Sequence, residues 1–180
     1  MKKVKVVEIG PRDGFQNVKE FIPTETKLRI IDQLMAAGFQ KIQITSFVSP
    51  KAIPQLRDCR QVVEHCLAKY PKNKLFALVP NFTGARLAVE AGLTEISPVL
   101  SLSESHNMNN VKRTVAQSIE EMKKIRQAFP DVKITQDIAT AFGCPFEGEM
   151  PVEALVELVG KLHVLGIRAF TLCDTVGLAY

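Results

Sequence analysis

Residues 7–17, VEIGPRDGFQN, run from an apolar stretch into a glycine and a proline and then set Arg12, Asp13 and Gly14 side by side. An aspartate at the C-terminal end of a strand offers a hard oxygen ligand suited to Mg2+ or Mn2+. The neighbouring guanidinium cannot lose its proton, so it can hold a carbonyl or enolate oxygen as negative charge develops there. Gly14 allows a sharp backbone turn or the close approach of a ligand. An Asp-Gly turn with a surface ion pair accounts for the same residues, and three residues alone do not separate the two readings.

The elements that must position this trio alternate along the chain. Residues 4–9 are β-branched and predict a strand. Thr24 is placed to cap a helix whose apolar positions Leu28, Ile31, Leu34 and Met35 recur at helical spacing and which ends at Gly38. Further strands are predicted over 41–45, 75–79, 95–100, 132–138 and 168–172. Helices are predicted over 57–70, 83–91, 111–129 and 151–165, each stopped by a proline or a glycine. Such an alternation without hairpins means right-handed βαβ units and a parallel sheet.

Two architectures satisfy that pattern, a doubly wound open sheet and a TIM (β/α)8 barrel. The G-x-G-x-x-G of a Rossmann sheet is absent after the first strand. Polar clusters stand instead after each strand: Arg12-Asp13, Thr45-Ser46, Asn81, residues 101–110, residues 140–148 and Asp174-Thr175. That placement favours a barrel, whose chemistry sits at the C-terminal ends of several strands. A complete barrel takes about 250 residues, so these 180 read as a single partial-barrel domain over 1–180. About six strands are present and the last two are missing.

Composition narrows the function. The net charge of +4 is spread among acidic residues, with no basic run interleaved with aromatics, so nucleic acid is not an expected partner. Cys59, Cys66, Cys144 and Cys173 form no CxxC pair and no zinc spacing with His65, His106 or His163, and are expected to be reduced thiols. Each of those histidines reads as a surface or packing residue. Met1-Lys2-Lys3 leads into a short apolar stretch broken by Lys5 and Glu8, neither a leader nor a membrane span, so a cytoplasmic protein is expected. Residues 101–107, SLSESHN, are polar enough to touch a ligand, and read equally as a solvated connection with Asn109 or Asn110 starting the next helix.

Four blocks in order, GPRDGFQN, TSFVSPKAIPQ, GCPFEG and Asp174-Thr175-Val176-Gly177, closely resemble the 3-hydroxy-3-methylglutaryl-CoA lyases. That family lies in the metallolyase branch of TIM barrels, beside isopropylmalate and homocitrate synthases. The resemblance implies an acyl-CoA substrate, a divalent metal (Mg2+ or Mn2+) and a place in leucine degradation. It implies Asp13 as metal ligand, Arg12 as the residue that polarises the thioester carbonyl, and Asp174 as a catalytic polar residue. Gln16, Gln43 and Ser46 would line the substrate pocket, and Lys19 would reach a coenzyme A phosphate, unless it is merely a solvated lysine.

The chain also departs from the family. The lyases' H-x-H pair and the glycine-rich loop with its cysteine have no counterpart here, so the remaining metal ligands are expected in an absent C-terminal part. Gln43 stands where the lyases carry glutamate, and Cys173 where they carry glycine. A related acyl-CoA lyase or Claisen-condensing enzyme with another acyl group therefore stays open. So does a non-catalytic fragment that needs a partner, and exposed edges on the terminal strands suggest a homodimer.

Overall fold

The computed structural model describes residues 4–179. Met1–Lys3, on which the reading of the leader partly rests, lie outside them. Within the described residues no helix is long and apolar enough to cross a membrane. The chain folds as two compact units, residues 4–79 with Thr83–Ile96, and residues 80–82 with 97–179.

The first unit alternates as its sequence dictates. A single helical turn, α1 (Asp13–Gln16), is followed by α2 (Thr24–Ala36), β1 (Ile42–Ser46), α3 (Cys59–Lys69), β2 (Leu75–Val79) and α4 (Phe82–Glu90). Strand β3 (Glu95–Ser101) begins in this unit. β1 and β2 pair in parallel, and α3 packs on both β1 and α2. Ile31, Ile42, Ile44, Leu56, Val63 and Leu75 are fully buried between them. Cys66 lies in the same core, and burial pushes its thiol up to about 12, so it stays protonated, as expected of a packing cysteine.

Two local expectations fail here. Residues 4–9 form no strand: Glu8 alone makes a parallel bridge to Ile42, donating to Lys41 O at 3.0 Å and accepting from Gln43 N at 2.8 Å. Val4, Val6 and Ile9 stay exposed, because β-branched composition favours an extended chain but does not supply the neighbour a ladder needs. Thr24 does not cap α2, whose N-cap is Pro23. The Thr24 hydroxyl instead donates to Asp58 Oδ2 at 2.8 Å, while Gly38, at φ +93°, ends the helix as its spacing predicts.

The second unit continues from β3 with α5 (Glu104–Val111), α6 (Val115–Ala128) and β4 (Lys133–Ala139). A two-residue antiparallel pair follows, β5 (Gly143–Cys144) with β6 (Gly148–Glu149), then α7 (Val152–Val164) and β7 (Ala169–Leu172). β4 pairs in parallel with β7. The helix predicted over 111–129 is two helices: α5 closes on Lys112 in the left-handed region, and Thr114 restarts the chain with a capping box to Gln117. Residues 101–107 are therefore the end of β3 and the start of α5, not a solvated connection. Ser103 caps α5 by accepting from His106 N at 3.1 Å.

One charged group anchors the first unit. Lys27, 2% exposed, places its ammonium against both oxygens of buried Asp58 at 2.8 and 2.9 Å, against Gln55 O, and over the Phe21 ring. Gln55 in turn binds Ile22 N, Val18 O and Glu20 O, so this knot ties the loop after α1 to the residues that lead into α3. Removing one partner of a buried pair strands the other's charge. Lys27→Ala is expected to destabilise the fold by about 3–5 kcal/mol in urea unfolding, whereas the double substitution Lys27→Met with Asp58→Leu, which removes both charges together, is expected to lose less.

Candidate active site

The turn that carries the Arg-Asp-Gly trio is built mainly by backbone bonds, with Gly10 N donating to Glu8 Oε1 at 2.6 Å and Asn17 Nδ2 to Asp13 O at 2.8 Å. Arg12 N and Asp13 N both donate to Ile9 O, at 3.0 and 2.8 Å, and Phe15 N donates to Gly10 O at 3.1 Å. This folds the chain straight from the Glu8 bridge into α1. Gly14 lies within that helical turn without a positive φ, so the sharp turn expected of it is not what it provides. A Cβ built there meets nothing within 4 Å, so the space beside it is open, as a close approach requires.

The side chains of this turn hold one another. Arg12 Nε donates to Gln43 Oε1 at 2.5 Å and its Nη1 to Asp13 Oδ1 at 2.5 Å, while Gln16 Nε2 donates to the same Oδ1 at 2.9 Å. The Arg12 side chain is 13% exposed and that of Asp13 48%. Arg12 is thus fixed through two of its nitrogens, and Nη2 has no partner among the described residues.

Strand β1 brings in two more of the expected residues by an irregularity. Gln43 lies opposite Phe76 and Ser46 opposite Leu78, with the register shifting between Gln43 and Thr45. Phe76 and Leu78 are two apart on β2 and share a face, so Gln43 and Ser46 share one as well, with Ile44 as the extra residue of a bulge. Both are buried, and Ser46 Oγ has no hydrogen-bond partner among the described residues. The structure therefore gathers Arg12, Asp13, Gln16 and Gln43 into one bonded group, with Ser46 on the Gln43 face of β1. Lys19 stands apart, exposed in the loop after α1.

Asp174 belongs to the second unit. It follows β7, is exposed, and uses both carboxylate oxygens on backbone amides, Leu178 N at 2.7 Å and Ala179 N at 3.0 Å. It closes the loop after β7.

A metal finds little here. Asp13 supplies one hard oxygen donor set, with Oδ1 already held by Arg12 and Gln16. Among the described residues no group of three or more His, Cys, Asp or Glu comes together. His65 lies on α3, His163 on α7, and His106 on α5 rather than in the loop expected for it. The described residues by themselves make no metal site, and the bonds they show are those that hold Arg12, Asp13, Gln16 and Gln43 to one another.

A buried polar network in the second unit was missed from sequence. Asn107 accepts from Ser101 N at 2.9 Å and donates to Arg113 O and Ser118 Oγ, each at 2.8 Å. Cys144 Sγ donates to Ser103 Oγ at 2.9 Å. Thr140, buried at φ +56° where a β-branched residue is strained, accepts from Ser103 N at 3.2 Å. The signal available was Ser103 before Glu104, a helix start rather than a loop.

Comparison with known proteins bears on these residues. The HMGL-like family model matches residues 3–180. The chain belongs to the HMGL-like family. It is 38% identical over 180 residues to the hydroxymethylglutaryl-CoA lyase YngG of Bacillus subtilis and 37% identical over 178 residues to the mitochondrial hydroxymethylglutaryl-CoA lyase of Mus musculus. These alignments cover 99% and 98% of the chain but 60% and 54% of the relatives, so the chain spans a little over half their length. An HMG-CoA lyase from Acinetobacter baumannii, solved with coenzyme A and 3-methylmalate, superposes with a TM-score of 0.90 at 40% identity, over 98% of this chain and 58% of that one. The expected fold class, an incomplete TIM barrel of parallel βα units, is borne out by that family and its solved members.

The hairpin of the GCPFEG block also titrates. Glu147 accepts from the Ser105 hydroxyl and from Ser105 N at 2.8 Å, and these bonds hold its carboxyl below the ordinary 4.5. A group with a depressed folded pKa adds stability above its unfolded pKa and loses it as pH falls through the folded one. Glu147→Gln is accordingly expected to lower the melting temperature at pH 7, with the gap to the parent chain closing as the pH drops below 4.5.

Proposed function

We propose that the whole protein is a carbon–carbon lyase acting on a 3-hydroxyacyl-CoA ester, 3-hydroxy-3-methylglutaryl-CoA foremost, and that these residues carry the part of its site that holds the developing enolate. The observation behind this is the Arg12 guanidinium, fixed through Nε and Nη1 with Nη2 uncommitted beside a carboxylate, in a chain of the HMGL-like family. The coenzyme A bound in the superposed lyase supports an acyl-CoA substrate.

In the retro-Claisen reaction the tertiary hydroxyl gives up its proton and the C2–C3 bond breaks. Acetoacetate departs, and the bonding pair passes to the thioester carbonyl as an acetyl-CoA enolate, which takes a proton at C2. In this reading Arg12 Nη2 holds the enolate oxygen, a cation already oriented before the charge appears. Gln16 holds Asp13 in place. Gln43 keeps the guanidinium aimed, and as a neutral amide it cannot take the hydroxyl proton. Ser46 and Lys19 are read as substrate contacts and Asp174 as a catalytic residue, on the strength of the resemblance. The lyases of this family work with a divalent metal. Mg2+ or Mn2+ belongs to the reading, with Asp13 as its one ligand among the described residues.

The neutral Gln43 favours a second reading, a related acyl-CoA lyase or Claisen-condensing enzyme with a different acyl group. Acetyl-CoA release from 3-hydroxy-3-methylglutaryl-CoA, with Mg2+ or Mn2+ supplied, decides between them. The lyase reading expects turnover that falls about 10²-fold or more in Arg12→Gln, the usual size of losing one oxyanion donor. Turnover that Arg12→Gln leaves unchanged contradicts it.

A further inference from the structure

Helix α7 carries two apolar rows, and its own unit packs on one of them. Leu158 and Leu162 are buried, with Leu155 and Leu165 half-buried beside them, and this is the face turned inward. Val152, Val156, Gly160 and Val164, four apart, form a second row that slants across the opposite side, since about 3.6 residues make a turn. The three valines are 68%, 64% and 85% exposed, and a Cβ built on Gly160 meets nothing within 4 Å. The row is therefore apolar, open, and notched at Gly160. Contiguous exposed apolar surface of this kind marks a contact site.

Completing the barrel does not cover this row. The helices of a TIM barrel form one ring around the strands, so an added βα unit lies beside its neighbour and leaves the outward face bare. The occupant comes from another molecule, and α7 is complementary to itself. Let two copies cross antiparallel about a two-fold axis between Val156 and Gly160. Val152 then faces Val164 of the second copy, and Val156 enters the notch at the other Gly160. The flanking row, Glu153, Glu157 and Lys161, obeys the same symmetry. Glu153 meets Lys161 of the second copy, and the axis makes this pair twice. Glu157, near the axis, is neutralised by its own Lys161 at 2.7 Å. A parallel arrangement would set Glu153 against Glu153 and Lys161 against Lys161.

We propose that the outward row of α7 is the surface through which two copies of this chain associate, antiparallel and isologous, with the same residues contributed by each. The proposal stands apart from the reading of the site at β1, and catalysis does not bear on it.

Sedimentation equilibrium over a concentration series tests it. The parent protein is expected to associate as a dimer. Val156→Lys, which sets an unpaired charge into the apolar row, is expected to raise the dissociation constant about tenfold or more. Glu153→Lys alone is expected to weaken association about threefold, the size of an exposed ion pair, and the double exchange with Lys161→Glu to recover it. Cysteine cross-linking reads the direction, with the parent as background. Val152→Cys copies are expected to form a disulfide with Val164→Cys copies and not with one another, because the antiparallel crossing holds two Val152 positions at opposite ends. A parent that stays monomeric throughout the series overturns the proposal. So does a dimer that Val156→Lys leaves intact, or Val152→Cys copies that link to one another instead.

Discussion

A guanidinium that cannot be neutralised has to be provided for, and the mouth of β1 is organised around doing so. Arg12 is mostly buried, so its charge needs partners close by. It has a carboxylate from its own neighbour, Asp13, and an amide oxygen from Gln43, 31 positions along the chain. Those two bonds fix the plane of the fork and leave one nitrogen uncommitted. The isolated Glu8–Ile42 bridge, the turn from Ile9 into α1 and the bulge in β1 are the backbone features that bring the partners together.

Support for that arrangement comes from outside it. Two buried ion pairs, Lys27 with Asp58 and Lys41 with Glu95, tie segments distant in sequence within the first unit. Lys27 and Gln55 together hold the loop that leaves α1, so the turn bearing Arg12 and Asp13 is fixed at both ends. Buried pairs of this kind add little net stability, but they are costly to break, which suits a loop that must keep one conformation. The second unit meets the same need with hydrogen bonds, through Asn107, Ser103 and Thr140 at the end of β3.

Much of this was legible in the sequence, because periodicity and chain stops are local signals. The strand predicted over 75–79 is β2, residue for residue, and Gly38, Gly92 and Gly166 end their helices in the left-handed region as their positions require. What failed depended on neighbours. Residues 4–9 look like a strand and make one bridge, since a ladder is a property of two segments. Polar SLSESHN concealed the start of α5, and residues 111–129 looked continuous although Thr114 and Gln117 already spelled a capping box. At the candidate site the residue types were readable and their arrangement was not. Gln43 and Ser46 are three apart, a spacing that puts side chains on opposite faces of a regular strand, and nothing in IQITS announces the bulge that unites them. The partner of Arg12 Nε could not be found from spacing either, because the contact is tertiary.

The most direct measurement of the central claim is a nitrogen-15 spectrum of the side chains Arg12 Nε and Gln43 Nε2 as 3-hydroxy-3-methylglutaryl-CoA is added. If Arg12 holds the ligand's oxygen and Gln43 keeps the guanidinium aimed, both resonances move together and saturate at one concentration. If both stay in place while the ligand binds elsewhere on the chain, the mouth of β1 is not where this substrate is held.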